Sequence, residues 1–417
     1  VSSPETAPAT PPAPAEASYA ALPKVVLKPR RALPFFGRHP WVFQGAIHHV
    51  TGTPEAGAEV ALVTDRDEFV ARGLYNPESN IVVRLYSWEP DVPLDEAFWS
   101  RRLDEALRLR HDILYRDGIP SSYRVVYSES DGLSGLIVDR YADWLLLQFT
   151  SLALSTRREM LVRLLTEKLS PTGIWLRTEK GIREAEGLNV TDGPIAGGNP
   201  PRPLFIEENG VRYGVDLVEG QKTGFFLDQR ENRVAAMRYL RGPRILDAFC
   251  YTGGFGLNLA RRDDVHEIVS VDVSETALNL ARANAELNGT AHKFRFEKAD
   301  AFKYVEKLQQ TGERFSGIVL DPPKLARHRK SVPEALRGYH RLNRAAVEML
   351  EPGGILVTCS CSGHVNREMF EAMLADVSSS CGRTIQILEA RSQAPDHPVS
   401  VHCLENNYLK CFICRVV

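Results

Sequence analysis

The chain has 417 residues, 43% hydrophobic and 25% charged, with a formal net charge of −2. That length is too great for one ordinary core and predicts two or three domains. No stretch approaches the ~18 apolar residues needed to span a bilayer, so a membrane helix is excluded, and the near-neutral charge does not advertise a nucleic-acid binder.

In chain order, residues 1–22 form a Pro/Ala-rich tail expected to be disordered. It has no basic region followed by an apolar one, so it reads as neither a secretory signal nor a transit peptide. No initiator Met heads it, as expected of a trimmed chain. Residues 23–97 give short β-type runs (KVVLKP, WVFQGAI, AEVALVTD, FVARGLY, NIVVRLYSW) punctuated by Gly and Pro, which predict a compact β-rich barrel. Residues 98–205 predict a small central α+β domain. It has a helix in AFWSRRLDEALRLRHDIL and strands on either side of ESDGLSG. A second helix in TRREMLVRLLTEKL, the strand GIWLRT and the linker PIAGGNPPRP follow. Residues 206–417 alternate strand and helix: RILDAF, EIVSVDVS, KFRFEKAD, SGIVLDPP and GILVTCSCS are the strands. That rhythm predicts an α/β domain with a parallel sheet covered by helices on both faces, and ligands beyond the carboxyl ends of the strands.

The seven cysteines (Cys250, Cys359, Cys361, Cys381, Cys403, Cys411 and Cys414) all lie in the C-terminal half, which does not resemble a secreted disulfide framework. A reducing, cytoplasmic location is expected. Cys411 and Cys414 have CxxC spacing, but the run YLKCFICRVV reads as a strand, where side chains three apart face opposite ways; no metal site is expected. Charge is unevenly placed. Between positions 24 and 49 stand Lys24, Lys28, Arg30, Arg31 and Arg38 with no acid; between 324 and 344 seven bases, Lys324 and Arg327 among them, face only Glu334. Two local basic patches fit a polyanionic ligand, although each alone is equally a solvated face.

The candidate site lies at strand ends. The first strand runs into Asp247, then Gly253, Gly254 and Gly256, glycines that let backbone approach a ligand, although the spacing is not GxGxxG. The second ends at Asp272, placed for ribose hydroxyls; the third runs out at Asp300 and the fourth at Asp321-Pro-Pro-Lys324. Each acid singly could be a helix cap. Their succession resembles class I S-adenosylmethionine-dependent methyltransferases. The resemblance implies that Asp247 and Gly253 flank the methionine part, that Asp272 holds the ribose and that Asp300 lies near the adenine.

The fifth strand ends TCSCSG at 358–363. Cytosine C5 is a poor nucleophile, and a thiolate added to C6 makes it enamine-like; an acid near N3 completes the requirement. Cys361, nearest the loop, is the candidate nucleophile and Asp321 the acid, while Cys359 reads as a small core residue. Lys324 stands where exocyclic-amine methyltransferases have an aromatic, which argues against amine methylation. His397, in DHP at 396–398, is a candidate base for the C5 proton and equally a turn residue.

Over nearly the whole chain after the tail, GRHPWVFQGAI, ESDGLSGLIVDRY, GIREAEGL, EGQKTGFFLDQRENR, DPPK, TCSCSG, PDHPV and YLKCFICRVV resemble one family. It is that of the bacterial 23S rRNA cytosine-C5 methyltransferases with a PUA domain, of C1962 type. The resemblance implies a PUA-like RNA-binding domain over 23–97 and a class I methyltransferase Rossmann-like domain over 206–417. It implies S-adenosylmethionine as cofactor and 23S rRNA as partner, with Cys361 catalytic and Phe226, Asp228 and Arg230 at the cofactor. Arg30, Arg31, Arg38, Lys324 and Arg327 would meet RNA, and Trp41 reads as core before platform. Ser134 stands where proline is expected and Leu325 where an aromatic is. A homodimer is left open. Two alternatives remain: a uracil-C5 or guanine-N methyltransferase, or an RNA-binding ribosome assembly factor with a vestigial methyltransferase fold.

Overall fold

The computed structural model describes residues 19–220 and 224–417, so the expectation of a disordered tail at 1–18 lies outside the described residues. The described residues form two compact units that divide between residues 100 and 101.

In the first unit six strands form one sheet: β1 (Lys24–Leu27), β2 (Trp41–Phe43), β3 (Ile47–Val50), β4 (Glu59–Val63), β5 (Phe69–Tyr75) and β6 (Ile81–Ser87), in the order β2-β6-β5-β4-β1-β3. The pairs are antiparallel except β1 with β4. Val25, Leu27, Val42, Val60, Leu62 and Val83 fill one core. The run WVFQGAI, expected to be one strand, divides into β2, a turn at Gln44–Ala46 and the start of β3. Gly73 sits where the β5–β6 register shifts; a Cβ there would lie 2.5 Å from Val83 Cγ1, so only glycine allows the approach. Between β1 and β2 lies the short helix α1 (Leu33–Phe36). Tyr19, assigned to the tail by composition, packs against Phe69 with ring centroids 4.6 Å apart and planes tilted by 41°.

Helix α2 (Glu96–Arg108) contains the boundary at residue 100 and continues as a π-helical segment, Leu109–Leu114. In the second unit β7 (Ser122–Tyr127), β8 (Leu136–Tyr141), β9 (Trp144–Phe149), β10 (Gly173–Leu176) and β11 (Gly193–Ala196) form a sheet in the order β11-β10-β9-β8-β7. Helices α3 (Leu152–Ser155) and α4 (Arg158–Leu169) join β9 to β10, and α5 (Lys180–Glu186) follows. A hairpin of β12 (Leu204–Glu208) and β13 (Val211–Val215) comes next, so the expected division at 205/206 falls within β12.

The remaining strands are β14 (Arg244–Ala248), β15 (Glu267–Asp272), β16 (Phe294–Lys298), β17 (Phe315–Leu320), β18 (Leu350–Ser360), β19 (Ile385–Arg391) and β20 (Lys410–Val416), in the order β16-β15-β14-β17-β18-β20-β19. The first five are parallel; α6 (Arg230–Tyr239) precedes them, α7 (Gly254–Leu259), α8 (Glu275–Leu287), α9 (Ala301–Gln310) and α10 (Val332–Met349) lie between them, and α11 (Arg367–Cys381) follows β18. Alternate residues feed separate cores on the two faces: Leu246, Val269, Ile318 and Leu356 on one, Ile245, Ile268, Val319 and Val357 on the other. Burial on both faces explains why β17 and β18 read as continuous apolar runs. The sheet is not wholly parallel as expected, because β20 runs antiparallel between β18 and β19. No strand is expected over 385–391. IQILEAR is a half-exposed edge strand with irregular alternation, and periodicity does not reveal it. The order places β14 between β15 and β17, so successive crossovers diverge there and open a crevice at the carboxyl ends.

Candidate active site

That crevice is a cavity of about 440 Å³. Asp247, Asp272 and Asp300 line it from the first three parallel strands or just beyond them; Asp321, Lys324 and Cys361 do so from the loops after β17 and β18. Asp247 is buried and its Oδ2 accepts the Gly256 N–H at 2.9 Å. Burial pushes its carboxyl up to about 7, opposed by that N–H and reinforced by the like charges of Asp321 and Asp272. Asp272 accepts the Tyr251 N–H on Oδ2 at 3.0 Å and the Ser274 N–H on Oδ1 at 2.8 Å. Asp300 caps α9, its Oδ1 accepting the Lys303 N–H at 3.2 Å, so the cap and the cavity-lining position coexist in one residue. The loop after β14 takes left-handed backbone at Phe249 (φ +63°), Tyr251 (+51°) and Gly253 (+86°). Two of these are aromatic, which marks a loop held by its surroundings.

The FFLDQR segment forms a wall of the cavity through Phe225, Phe226, Asp228 and Gln229. Arg233 anchors it. Its guanidinium forks onto Glu208 (2.7 and 2.8 Å) and donates to the Phe226 carbonyl at 3.0 Å. Asp228 is buried and accepts the Tyr408 hydroxyl. Five aspartates therefore face one cleft against Arg233, already forked onto Glu208, and Lys324. Such a donor set fits a ligand carrying positive charge, as a sulfonium with an amino group does, and aromatic walls at Phe226, Phe249 and Phe302 suit a flat ring.

Regular strand geometry ends at Ser360, so Cys361 lies beyond it and lines the cavity, half-buried; Cys359 is fully buried in the core with Cys411 opposite it. The loop carrying Cys361 is tied down. Ser362 Oγ accepts the Ala326 N–H at 3.1 Å and pairs with the Tyr339 hydroxyl at 3.2 Å, which itself accepts from Ser360 Oγ at 2.9 Å. Lys410 Nζ donates to the carbonyls of Ser362 at 2.7 Å and Tyr408 at 2.6 Å. Burial pulls the Lys410 amine down to about 8, opposed by charge on Cys361 and reinforced by Lys324.

Not every residue singled out by sequence reaches the cavity. Gly253 caps α7 between two lining residues, Thr252 and Gly254. Arg230 turns away from the cavity: it is buried, donates to the Ser122 carbonyl at 3.3 Å and to the Tyr115 hydroxyl, and lies 3.4 Å from Asp396. The cavity side of that turn is taken by Asp228 and Gln229, so Arg230 is a structural cation. His397 is also absent from the cavity. It is 2% exposed, with Nδ1 2.8 Å from Asp396 Oδ1 and its backbone N–H donating to the Ala394 carbonyl at 2.9 Å, which is the turn position and not a place at the cavity. Arg327 is exposed in the loop after β17. In the first unit Arg30, Arg31 and Arg38 are exposed, Arg30 and Arg38 with left-handed backbone, beside exposed Leu33 and Phe36. Trp41 is half-buried and meets Phe43 edge-on at 6.4 Å. Cys411 and Cys414 feed cores on opposite faces of the sheet.

Sequence reading passed over Gln229, Phe249, Phe302 and Lys410. Gln229 stands within FLDQR, between Asp228 and Arg230, and adjacency to them is its one signal. Lys410 carried one signal, a lone cation in the run YLKCFICRVV.

A doubly wound sheet with acidic ends on consecutive parallel strands is the architecture of class I S-adenosylmethionine-dependent methyltransferases. Residues 193–401 match the S-adenosylmethionine-dependent methyltransferase family, and residues 25–88 match the PUA-like domain. Ribosomal RNA large subunit methyltransferase I of Escherichia coli strain K12 is 39% identical over 395 residues, covering 94% of this chain and 99% of that protein. Among solved structures, a methyltransferase complexed with SAH superposes with a TM-score of 0.81 at 20% identity. A SAM-dependent methyltransferase from Streptococcus mutans gives 0.79 at 20%, and each covers 94% of this chain and 99% of its own. The chain belongs to this family of S-adenosylmethionine-dependent methyltransferases, with a PUA-like domain preceding the methyltransferase fold.

Proposed function

We propose that the protein methylates C5 of a cytosine in 23S ribosomal RNA through a covalent Cys361 adduct. The observation that carries this reading is that Cys361 and Asp321, from the loops after the paired strands β18 and β17, line the same cavity. The name of the Escherichia coli relative, a large-subunit ribosomal RNA methyltransferase, supports the substrate class. Lys324 in place of an aromatic after Asp321-Pro-Pro weighs against amine methylation.

Bound S-adenosylmethionine supplies an electrophilic methyl group. Asp272 would hold its ribose, Asp247 and Asp228 its cationic end, and Asp300 its adenine. The chain's own residues do the rest. The Cys361 thiolate bonds to C6, and the C5–C6 electron pair becomes available at C5. Asp321 hydrogen-bonds N3 as charge develops on the ring. After C5 has gained the methyl group a base takes the C5 proton, the double bond re-forms, and Cys361 leaves as thiolate. Arg30, Arg31 and Arg38 of the PUA-like domain, taken as 23–97, would contact RNA phosphates, and Lys324 and Arg327 those flanking the target base. The central domain, 98–205, and the methyltransferase domain, 206–417, complete the proposed division.

The test is methyl transfer to naked rRNA followed by bisulfite mapping. One protected cytosine, absent with Cys361→Ala, is expected; methylation on uracil or guanine, or none, would replace the reading.

A further inference from the structure

Asp321 is held from behind by a chain of side chains whose direction can be deduced. Gln229, buried in the turn before α6, donates from Nε2 to Asp321 Oδ2 at 3.0 Å. Its Oε1 accepts from Asn232 Nδ2 at 2.6 Å. Asn232, fully buried on α6, also donates from Nδ2 to the Ser392 carbonyl at 3.1 Å, and its Oδ1 accepts from Arg391 Nε at 2.9 Å. Arg391, the last residue of β19, is itself paired with Glu389 at 2.6 Å.

Amide oxygen and nitrogen are interchangeable in shape, so the assignment must come from the partners. Here two partners settle it. A guanidinium only donates and a carbonyl only accepts. Arg391 therefore requires the oxygen of Asn232, and Ser392 requires its nitrogen. With that amide fixed, the oxygen of Gln229 must face Asn232 and its nitrogen must face Asp321. Polarity runs one way, from an edge strand into the cavity.

We propose that Arg391, Asn232 and Gln229 form a directional relay that orients the Asp321 carboxylate and commits Oδ2 to accepting. Any proton that Asp321 carries or exchanges then resides on Oδ1. Gln229 and Asn232 are positioning residues, acting through Asp321. In the methylation reaction, and resting on the reading of the previous subsection, the relay decides which carboxylate oxygen exchanges hydrogen with the base.

Two nearly isosteric variants reverse the polarity. Gln229→Glu places a carboxylate oxygen against Asp321 Oδ2, and the two can coexist only by sharing a proton. Asn232→Asp presents an acceptor to Gln229, whose amide must turn and offer its oxygen to Asp321. The first measurement needs no substrate. Asp321 is titrated by carboxyl ¹³C NMR of aspartate-labelled protein, with Asp321→Asn to assign the signal and thermal melting to confirm folding. Both variants should raise the Asp321 midpoint by about one pH unit or more. The second is the pH profile of single-turnover methyl transfer. In both, the limb on which the rate falls about tenfold per pH unit above the Asp321 midpoint should lie at higher pH than in wild type, by the same interval as the midpoint. An unmoved midpoint in both variants overturns the relay. A shift in Gln229→Glu but not in Asn232→Asp also overturns it, since Asn232 would then not set the direction. Shifted midpoints with a wild type that methylates no cytosine would keep the relay and remove the proposed reaction.

Discussion

Asp272 has both carboxylate oxygens fixed by backbone N–H groups of Tyr251 and Ser274, so it is oriented before any ligand arrives. Losing charged hydrogen bonds of the kind it offers a ribose costs on the order of 1.5–3 kcal/mol, and Asp272→Ala should weaken S-adenosylhomocysteine binding by more than tenfold in calorimetry. Affinity equal to wild type would remove it from the ribose. Asp247 makes a prediction about pH. Its folded carboxyl titrates near 7 against an ordinary 3.8, so the native state binds more protons between those values. The stability it contributes is full below 3.8 and lost as pH rises through 7. A cationic ligand prefers the ionised form, so S-adenosylmethionine affinity should rise by about tenfold from pH 6 to pH 8. Asp247→Asn should flatten both trends, in urea unfolding and in titration calorimetry; a variant with the wild-type slopes would assign them to another group. The two cysteines are separated by exposure. An RNA with 5-fluorocytosine at the target cannot lose its C5 substituent as a proton. It should trap wild type and Cys359→Ser as a stable adduct but not Cys361→Ser. The reverse pattern would exchange the roles.

Between elements, the Ser362 hydroxyl ties the loop after β18 to the loop after β17, which Cys361 Sγ also meets at the Pro322 carbonyl, 4.0 Å away. Ser362 receives the Ala326 N–H and meets Tyr339 of α10, while Lys410 at the start of β20 clamps the Ser362 carbonyl. Cys361 and Asp321 thus sit on loops that share a fastening. Ser362→Ala leaves the buried Ala326 N–H without its acceptor, a cost of about 1–3 kcal/mol. The variant should melt at lower temperature and lose kcat for RNA methylation, with cofactor affinity nearly unchanged. Equal losses in both would mean that the whole cleft, and not the loop pair, had loosened.

Across the whole molecule, a net charge of −2 conceals two basic patches. Arg30, Arg31 and Arg38 stand exposed in the first unit, and Lys324 and Arg327 lie on the loop at the rim of the acidic cleft in the second. Lys324 lines the acidic cleft, whereas Arg30 and Arg31 are absent from its lining. Charge reversal of Arg30 and Arg31 should therefore weaken rRNA binding and reduce its logarithmic salt slope by about two, near 0.9 per lost phosphate contact. Cofactor affinity should not change. Filter binding at several salt concentrations checks this, and an unchanged slope would make the patch a solvated face.

The sequence by itself determined the order of elements and the acids at their ends. Buried parallel strands must be apolar on both faces, and their carboxyl ends are where polar residues can stand, so Asp247, Asp272, Asp300, Asp321 and Cys361 were all legible. The PUA-like strands were legible too, because Gly and Pro interrupt short β-branched runs. Only the tertiary structure decided which neighbours in FLDQR face the cavity: a turn into α6 sends Asp228 and Gln229 inward and Arg230 to Tyr115 and Asp396, a choice that adjacency in sequence does not make. It decided that His397 is buried against Asp396, and that β20 enters antiparallel between β18 and a β19 whose polar edge carries no period. The relay behind Asp321 shows the same limit. Its members stand at positions 229, 232, 321 and 391, and their hydrogen bonds exist only once the sheet and α6 have brought those positions together.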